Sequence, residues 1–209
     1  MKRFRLLNYI LCLVFLGQLM SCKESDDLLT KHFNKSEIKT IEKIIQYFDD
    51  YVISQTSNQL TIDKAYTTYL DKMKASIEKA SDYDLFLPSI DNRIEFYRTL
   101  DKNILSEIYN IKDTLTVNFR GENGPQKVYS PYSLSLNLHG KYFDFLKDLS
   151  LKNDFFKSYY ENIQVAGDIS PTHYSKILHE HSEIDFNNRE ERLVVIISLL
   201  EIGKTISQK

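Results

Sequence analysis

The densest concentration of chemistry-bearing side chains is His173-Tyr174-Ser175-Lys176-Ile177-Leu178-His179-Glu180-His181-Ser182-Glu183-Ile184-Asp185, with three of the five histidines and three carboxylates. Imidazole and carboxylate are both zinc ligands, so His173, His179, His181 and Glu183 are the candidate metal-ligating residues, and a metal-assisted hydrolase is one reading. An extended His179-Glu180-His181 would set both rings on one side of a strand. The zinc-protease spacing, two histidines four apart on a helix with a glutamate beside the first, is absent. The plainer reading is a helix ending here, because histidines near a C-terminus suit its negative end.

Other catalytic patterns are missing. No serine stands between two glycines at nucleophile-elbow spacing, and no glycine-rich loop that would cradle phosphate is present. Asp82-Tyr83-Asp84 opens like a calcium loop but lacks the glycine and the closing glutamate at the required offsets. With 29 acidic residues, a carboxylate pair at glycosidase separation is compatible with the sequence without being visible in it.

The elements that must position these residues are helical. Asn34 and Glu37 have capping-box spacing, and Ile38, Ile41, Ile45, Phe48 and Val52 form one apolar stripe, which predicts a helix over Lys35 to Gln55. Thr61 caps a second helix with Ile62, Ala65, Tyr69, Met73, Ile77 and Ala80 inward, ending near Ser81. Pro88-Ser89 restarts the chain, and Ile90, Ile94, Tyr97, Leu100, Ile104 and Ile108 keep the helical rhythm. From Thr114 to Phe119 the pattern alternates, and Gly121-Glu122-Asn123-Gly124 is turn chemistry before Lys127-Val128-Tyr129. A β-hairpin or ordered loop over 114–130 is expected, limited by Pro125 and Pro131; an isolated ribbon is marginal, so it must lie on something.

Helical pattern returns with Tyr142, Phe145, Leu146 and Leu149, then with Phe155, Phe156, Tyr159, Tyr160 and Ile163 up to Gly167. Ser170-Pro171 opens a short helix. The last helix starts near Asn188, with Glu190 and Glu191 at its positive end. Its Leu193–Leu200 run is apolar all round and too short to span a bilayer, so it belongs in the middle of a bundle. The expected fold is mainly α: a compact bundle of about six or seven helices with one hairpin or ordered-loop insertion. The chain has 14 Tyr, 12 Phe and no Trp, which means either a ring-filled core or an outward aromatic patch suited to a partner.

The N-terminus has three positive charges in Met1–Arg5 and an apolar run from Leu6 to Met20, the form of a cleaved leader too short to span a membrane permanently. Leu19-Met20-Ser21-Cys22 resembles the lipobox of bacterial lipoproteins, and the following Lys23, Glu24, Asp26 and Asp27 are similar to the surface-export tract of lipoproteins of the Bacteroidetes group, with Met20 and Ser25 as departures from the pattern. The resemblance covers only the leader and the residues behind it. It implies that residues 1–21 are removed, that Cys22 carries a diacylglyceryl lipid, and that the protein sits on the outer membrane, exposed at the cell surface. Two or more acyl chains meet the physical requirement for stable anchoring. Residues 22–34 then form the lipidated cysteine and a polar tether reaching at most about 40 Å, and residues 35–209 a single helical domain.

The whole chain has 27 basic and 29 acidic residues; the leader takes three basic and no acidic ones, leaving 24 against 29 and a net charge of −5. No basic cluster occurs in the body, which argues against nucleic-acid binding. Cys12 leaves with the leader and Cys22 is lipidated, so no thiol remains for disulfides, cysteine–zinc sites or nucleophilic catalysis. The expectation is a membrane-anchored envelope lipoprotein whose body binds a protein or envelope component, with no cofactor beyond its lipid. A small envelope hydrolase using His173–Asp185 is the alternative.

Overall fold

The computed structural model describes residues 27–79, 86–112, 115–121, 124–130 and 133–201. The fold is mainly α. Among the described residues nine α-helices occur: α1 (Leu28–His32), α2 (Lys35–Gln55), α3 (Ile62–Ile77), α4 (Ile90–Arg98), α5 (Lys102–Ile108), α6 (Lys141–Leu149), α7 (Asp154–Ala166), α8 (Pro171–Glu180) and α9 (Arg189–Leu200). Between α5 and α6 lie β1 (Tyr109–Lys112), β2 (Leu115–Gly121), β3 (Gly124–Ser130) and β4 (Ser133–Leu136).

α9 is the centre. Every residue from Leu193 to Leu200 is buried, and α2, α6 and α8 pack around it. α3 closes over α2 and α8, and α7 over α6 and α8. The caps follow local chemistry: Asn34 and Glu37 form the reciprocal box that opens α2, Asn188 accepts from Glu190 N–H to open α9, and α7 stops at Gly167, whose φ of 78° favours glycine.

A buried helix end leaves its last carbonyls without intrahelical partners, and here aromatic hydroxyls and a guanidinium meet them. Tyr109 Oη donates to Ile197 O at 3.1 Å, Tyr97 Oη to Leu200 O at 3.2 Å and Arg93 Nη1 to Glu201 O at 2.8 Å. The Arg93 cation also suits the negative end of the helix. Within α9, the Ser198 hydroxyl lies 2.5 Å from Tyr159 Oη and donates to Val194 O at 2.7 Å. Tyrosine thus fills this core where a ring with a polar tip is needed.

Several expectations change. Residues 28–32, expected in the tether, form α1, with Leu28, Leu29 and the capping Phe33 buried. The rhythm from Ile90 to Ile108 is broken at Thr99–Asp101, where the Asp101 carboxylate accepts from Asn103 N–H and starts α5. Ile77 and Ile90 are exposed, at 38% and 43%. Thr61 makes no side-chain cap bond. Ala80 and Ser81 lie outside the described residues.

The expected hairpin is the β2–β3 pair, antiparallel with Leu115 opposite Ser130 and Gly121 opposite Gly124. A second two-stranded antiparallel sheet, β1 with β4, sets Tyr109 opposite Leu136. This β1–β4 pair is anchored in the core by Tyr109, Leu134 and Leu136. Pro125 lies inside β3, which a two-stranded ribbon tolerates because each strand has a free edge. Leaving the ribbon, Gly140 presses its backbone on α5: a Cβ there would stand 2.1 Å from Glu107 O.

Candidate functional site

The first place of interest is where the start of α1 meets the body. Asp27 caps α1 through Leu29 N–H at 3.1 Å and pairs with Arg189 at 2.5 Å. Arg189 also reaches Glu42 on α2 at 2.9 Å. Leu28 N–H donates to the buried Glu190 carboxylate at 2.5 Å. Burial, and next the Asp27 carboxylate beside it, push the Glu190 pKa up. Lys31 and His32 both grip Asp148 at the end of α6, at 2.6 and 2.7 Å. Asp27, expected within an export signal, is thereby part of the fold, whereas Cys22, Lys23, Glu24 and Asp26 lie outside the described residues.

The histidine-rich segment is helical, not extended. It fills most of α8 and a following 3-10 turn, His181–Glu183. His173 is buried at the N-terminal end of α8, where its Nδ1 accepts from Ser170 N–H at 3.0 Å and its ring packs edge-on to Tyr159 at 4.9 Å. Burial holds its pKa below the ordinary histidine value. His179 is exposed in the last turn and Glu183 is exposed in the 3-10 turn. The buried His181 has Nδ1 3.0 Å from Leu178 O and Nε2 3.3 Å from Asp71 on α3. The structure does not bring His173, His179, His181 and Glu183 into one coordination sphere: among the described residues no group of three or more His, Cys, Asp or Glu is placed to hold a metal ion.

A buried acid that the sequence did not single out is Asp49. It accepts from Tyr66 Oη at 2.7 Å and lies 3.1 Å from Arg192 Nε. Burial pushes its pKa up against the lowering effect of Tyr66 and Arg192. Perturbed acids mark candidate sites when they face a cleft. This one instead ties α2, α3 and α9 together inside the core.

A shallow hollow lies one residue further along α2. It is open to solvent, about 550 Å³, between α2 and α4, and is lined by Tyr47, Asp50, Tyr51, Pro88, Asn92, Glu95, Phe96 and Thr99. Tyr47 and Phe96 stack face to face at 3.9 Å with planes 6° apart. Burial pushes the Tyr47 and Tyr51 hydroxyls up, with Arg93 opposing, so both remain neutral donors. Asp50 accepts from Gln46 at 2.7 Å. Half-buried rings, neutral hydroxyls and two exposed carboxylates suit recognition. The sequence signal was present but unread: Tyr47 and Tyr51 stand four apart beside the Ile41–Phe48 stripe, and Phe96 stands beside the Ile94–Tyr97 one. Of the Phe155, Phe156, Tyr159 and Tyr160 stripe, the first three are core residues and Tyr160 is half-buried.

Among the described residues no helix is long and apolar enough to cross a membrane. Comparison with known proteins finds no matching family model, no similar curated protein and no similar solved structure.

Proposed function

We propose that the protein is a lipid-anchored lipoprotein of the cell envelope, held on the outer membrane through diacylglyceryl-Cys22 and displayed at the surface, whose helical body binds another protein or an envelope component. The observation that carries this is the Leu19–Cys22 lipobox, placed only a few residues ahead of Asp27, which caps a helix packed on the body. The stretch available to separate lipid from body is then far shorter than one through Asn34 would be. The five residue steps from Cys22 to Asp27 reach at most about 18 Å. The binding face in this reading is the Tyr47–Phe96 hollow, because aromatic, partly buried surface with polar tips is what partner-facing patches offer.

Labelled fatty acid is expected to enter the wild-type chain and not Cys22→Ala; label in the variant refutes the anchor. Protease shaving of intact cells tests display, and full protection in verified intact cells refutes it. Co-purification of the anchored protein with and without Phe96→Ala tests the hollow. A partner retained equally by both chains places the binding face elsewhere.

A further inference from the structure

We infer that the corner made by the start of α1 and the α6–α7 turn is a bilayer-contacting surface, with Leu151 as the residue that enters the headgroup layer. This rests on the anchoring reading above and goes beyond it by fixing which face of the body meets the lipid.

Leu151 is 81% exposed, in the turn that follows α6. A single exposed leucine is ordinary; the place of this one is what matters. Its N–H donates to Asp148 O at 3.2 Å, and the Asp148 carboxylate is the group that Lys31 and His32 grip. Lys152, next in the turn, lies close enough to Glu190 to act on its charge, and Glu190 takes the Leu28 N–H. The exposed leucine and the start of α1 therefore share one corner.

Covalent reach decides the orientation. The link from Cys22 to Asp27 spans at most about 18 Å. A body the size of residues 27–201 has a radius of gyration of about 16 Å and is thus roughly 40 Å across. The corner cannot stand on the side away from the bilayer while Cys22 holds the lipid at headgroup level. Charge is mixed here: Lys147 and Lys152 are exposed, Lys31 is taken up by Asp148 and Asp27 by Arg189, and Asp154 and Glu183 are exposed acids beside the turn. The bilayer that holds the Cys22 lipid is the occupant within that covalent reach.

α7 supplies an internal ruler. Its 13 residues extend about 20 Å from just beyond Leu151 to Val165, which is 90% exposed and near the other end. The test uses the full chain, purified from its envelope and reconstituted in phosphatidylethanolamine–phosphatidylglycerol vesicles, with a bimane label on Leu151→Cys or Val165→Cys. Quenching by acyl-chain doxyl lipid is expected to be at least about threefold stronger at 151 than at 165, and quenching by aqueous iodide correspondingly weaker. Intact-protein mass reads the lipid on Cys22 in the same samples. Equal lipid quenching at both positions with an acylated Cys22 overturns the docking and leaves the anchor standing. A stronger iodide effect at 151 also overturns it, because that corner then faces water or a protein partner rather than lipid. An unmodified Cys22 overturns the anchor and the docking together.

Discussion

If α1 is part of the fold rather than tether, truncating one of its buried side chains must destabilise the whole molecule. Leu29 is the test residue: it is fully buried, and α1 packs chiefly on α6, where Phe33 meets Phe145 at 6.3 Å between ring centroids. Leu29→Ala removes buried methyl groups and leaves a cavity, a change that costs about 3 kcal/mol in well-packed sites. For a body of this size that corresponds to a fall in Tm of roughly 6–12 °C. Lys31→Ala is the control. It removes the 2.6 Å pair with Asp148, but the lysine is 63% exposed, so its loss costs at most about 1 kcal/mol. Urea unfolding of the detergent-solubilised full chain, followed by helical circular dichroism, reads both variants. The slope should match wild type in each, so that midpoints compare stabilities. Should Leu29→Ala fall within about 0.5 kcal/mol of wild type, the range of an exposed substitution, α1 is a tether that rests on the body, and the short reach from Cys22 loses its basis.

Three further outcomes follow from single observations. Gly140→Ala would drive a Cβ to 2.1 Å from Glu107 O, so α5 or α6 must shift; a loss of about 3 kcal/mol, at the upper part of the overpacking range, is expected in the same unfolding assay. Tyr109→Phe leaves the Ile197 carbonyl without its hydroxyl donor in a fully buried site, and a loss of about 1–3 kcal/mol is expected with the helical signal unchanged. Glu190 is the pH prediction: burial and then Asp27 raise its folded pKa above the ordinary carboxylate value, so the folded state holds this proton more tightly than the unfolded one. Its contribution is therefore fully present below about pH 4.5 and is lost as pH rises through the folded pKa. Glu190→Gln, which keeps an oxygen for Leu28 N–H, should gain stability relative to wild type across that rise; a pH-independent difference would show that Glu190 ionises as freely in the fold as outside it.

The long helices were legible because two independent signals agreed on them. α2 has both the Asn34–Glu37 box and a continuous Ile41-to-Val52 stripe, and its bounds follow from these alone. α1 was not legible, because a five-residue helix owes its existence to docking rather than to propensity, and Leu28-Leu29-Thr30-Lys31-His32 has too few apolar positions to show a period. The break between α4 and α5 was hidden for the opposite reason. Ile94, Tyr97, Ile104 and Ile108 are all buried, so the apolar rhythm runs unbroken across a joint that only Asp101, through its cap, announces. The β1–β4 pair was hidden because Tyr109 and Ile111 continue the helical count of α5 while already pairing with β4.

Polar chemistry was harder to read because a buried polar side chain and a functional one look alike in a sequence. His173 and His181 drew notice as metal ligands, yet His173 uses its imidazole to accept the Ser170 N–H at a helix start, and His181 sits against Leu178 O and Asp71. The hydroxyls of Tyr97, Tyr109 and Tyr159 and the guanidinium of Arg93 are likewise committed to α9. The cause is the placement of α9 itself: a helix apolar on every side is driven to the centre, its last carbonyls go with it, and each must find a donor away from water. Surrounding segments therefore carry polar tips on apolar bodies, which accounts for a core rich in tyrosine. Tyr47, Tyr51 and Phe96 lie at the margin of that core, packed against it on one side and lining the open hollow on the other, whereas Leu151 beyond the end of α6 stands clear of it; a position at the edge of the core-facing register is what sets these side chains apart.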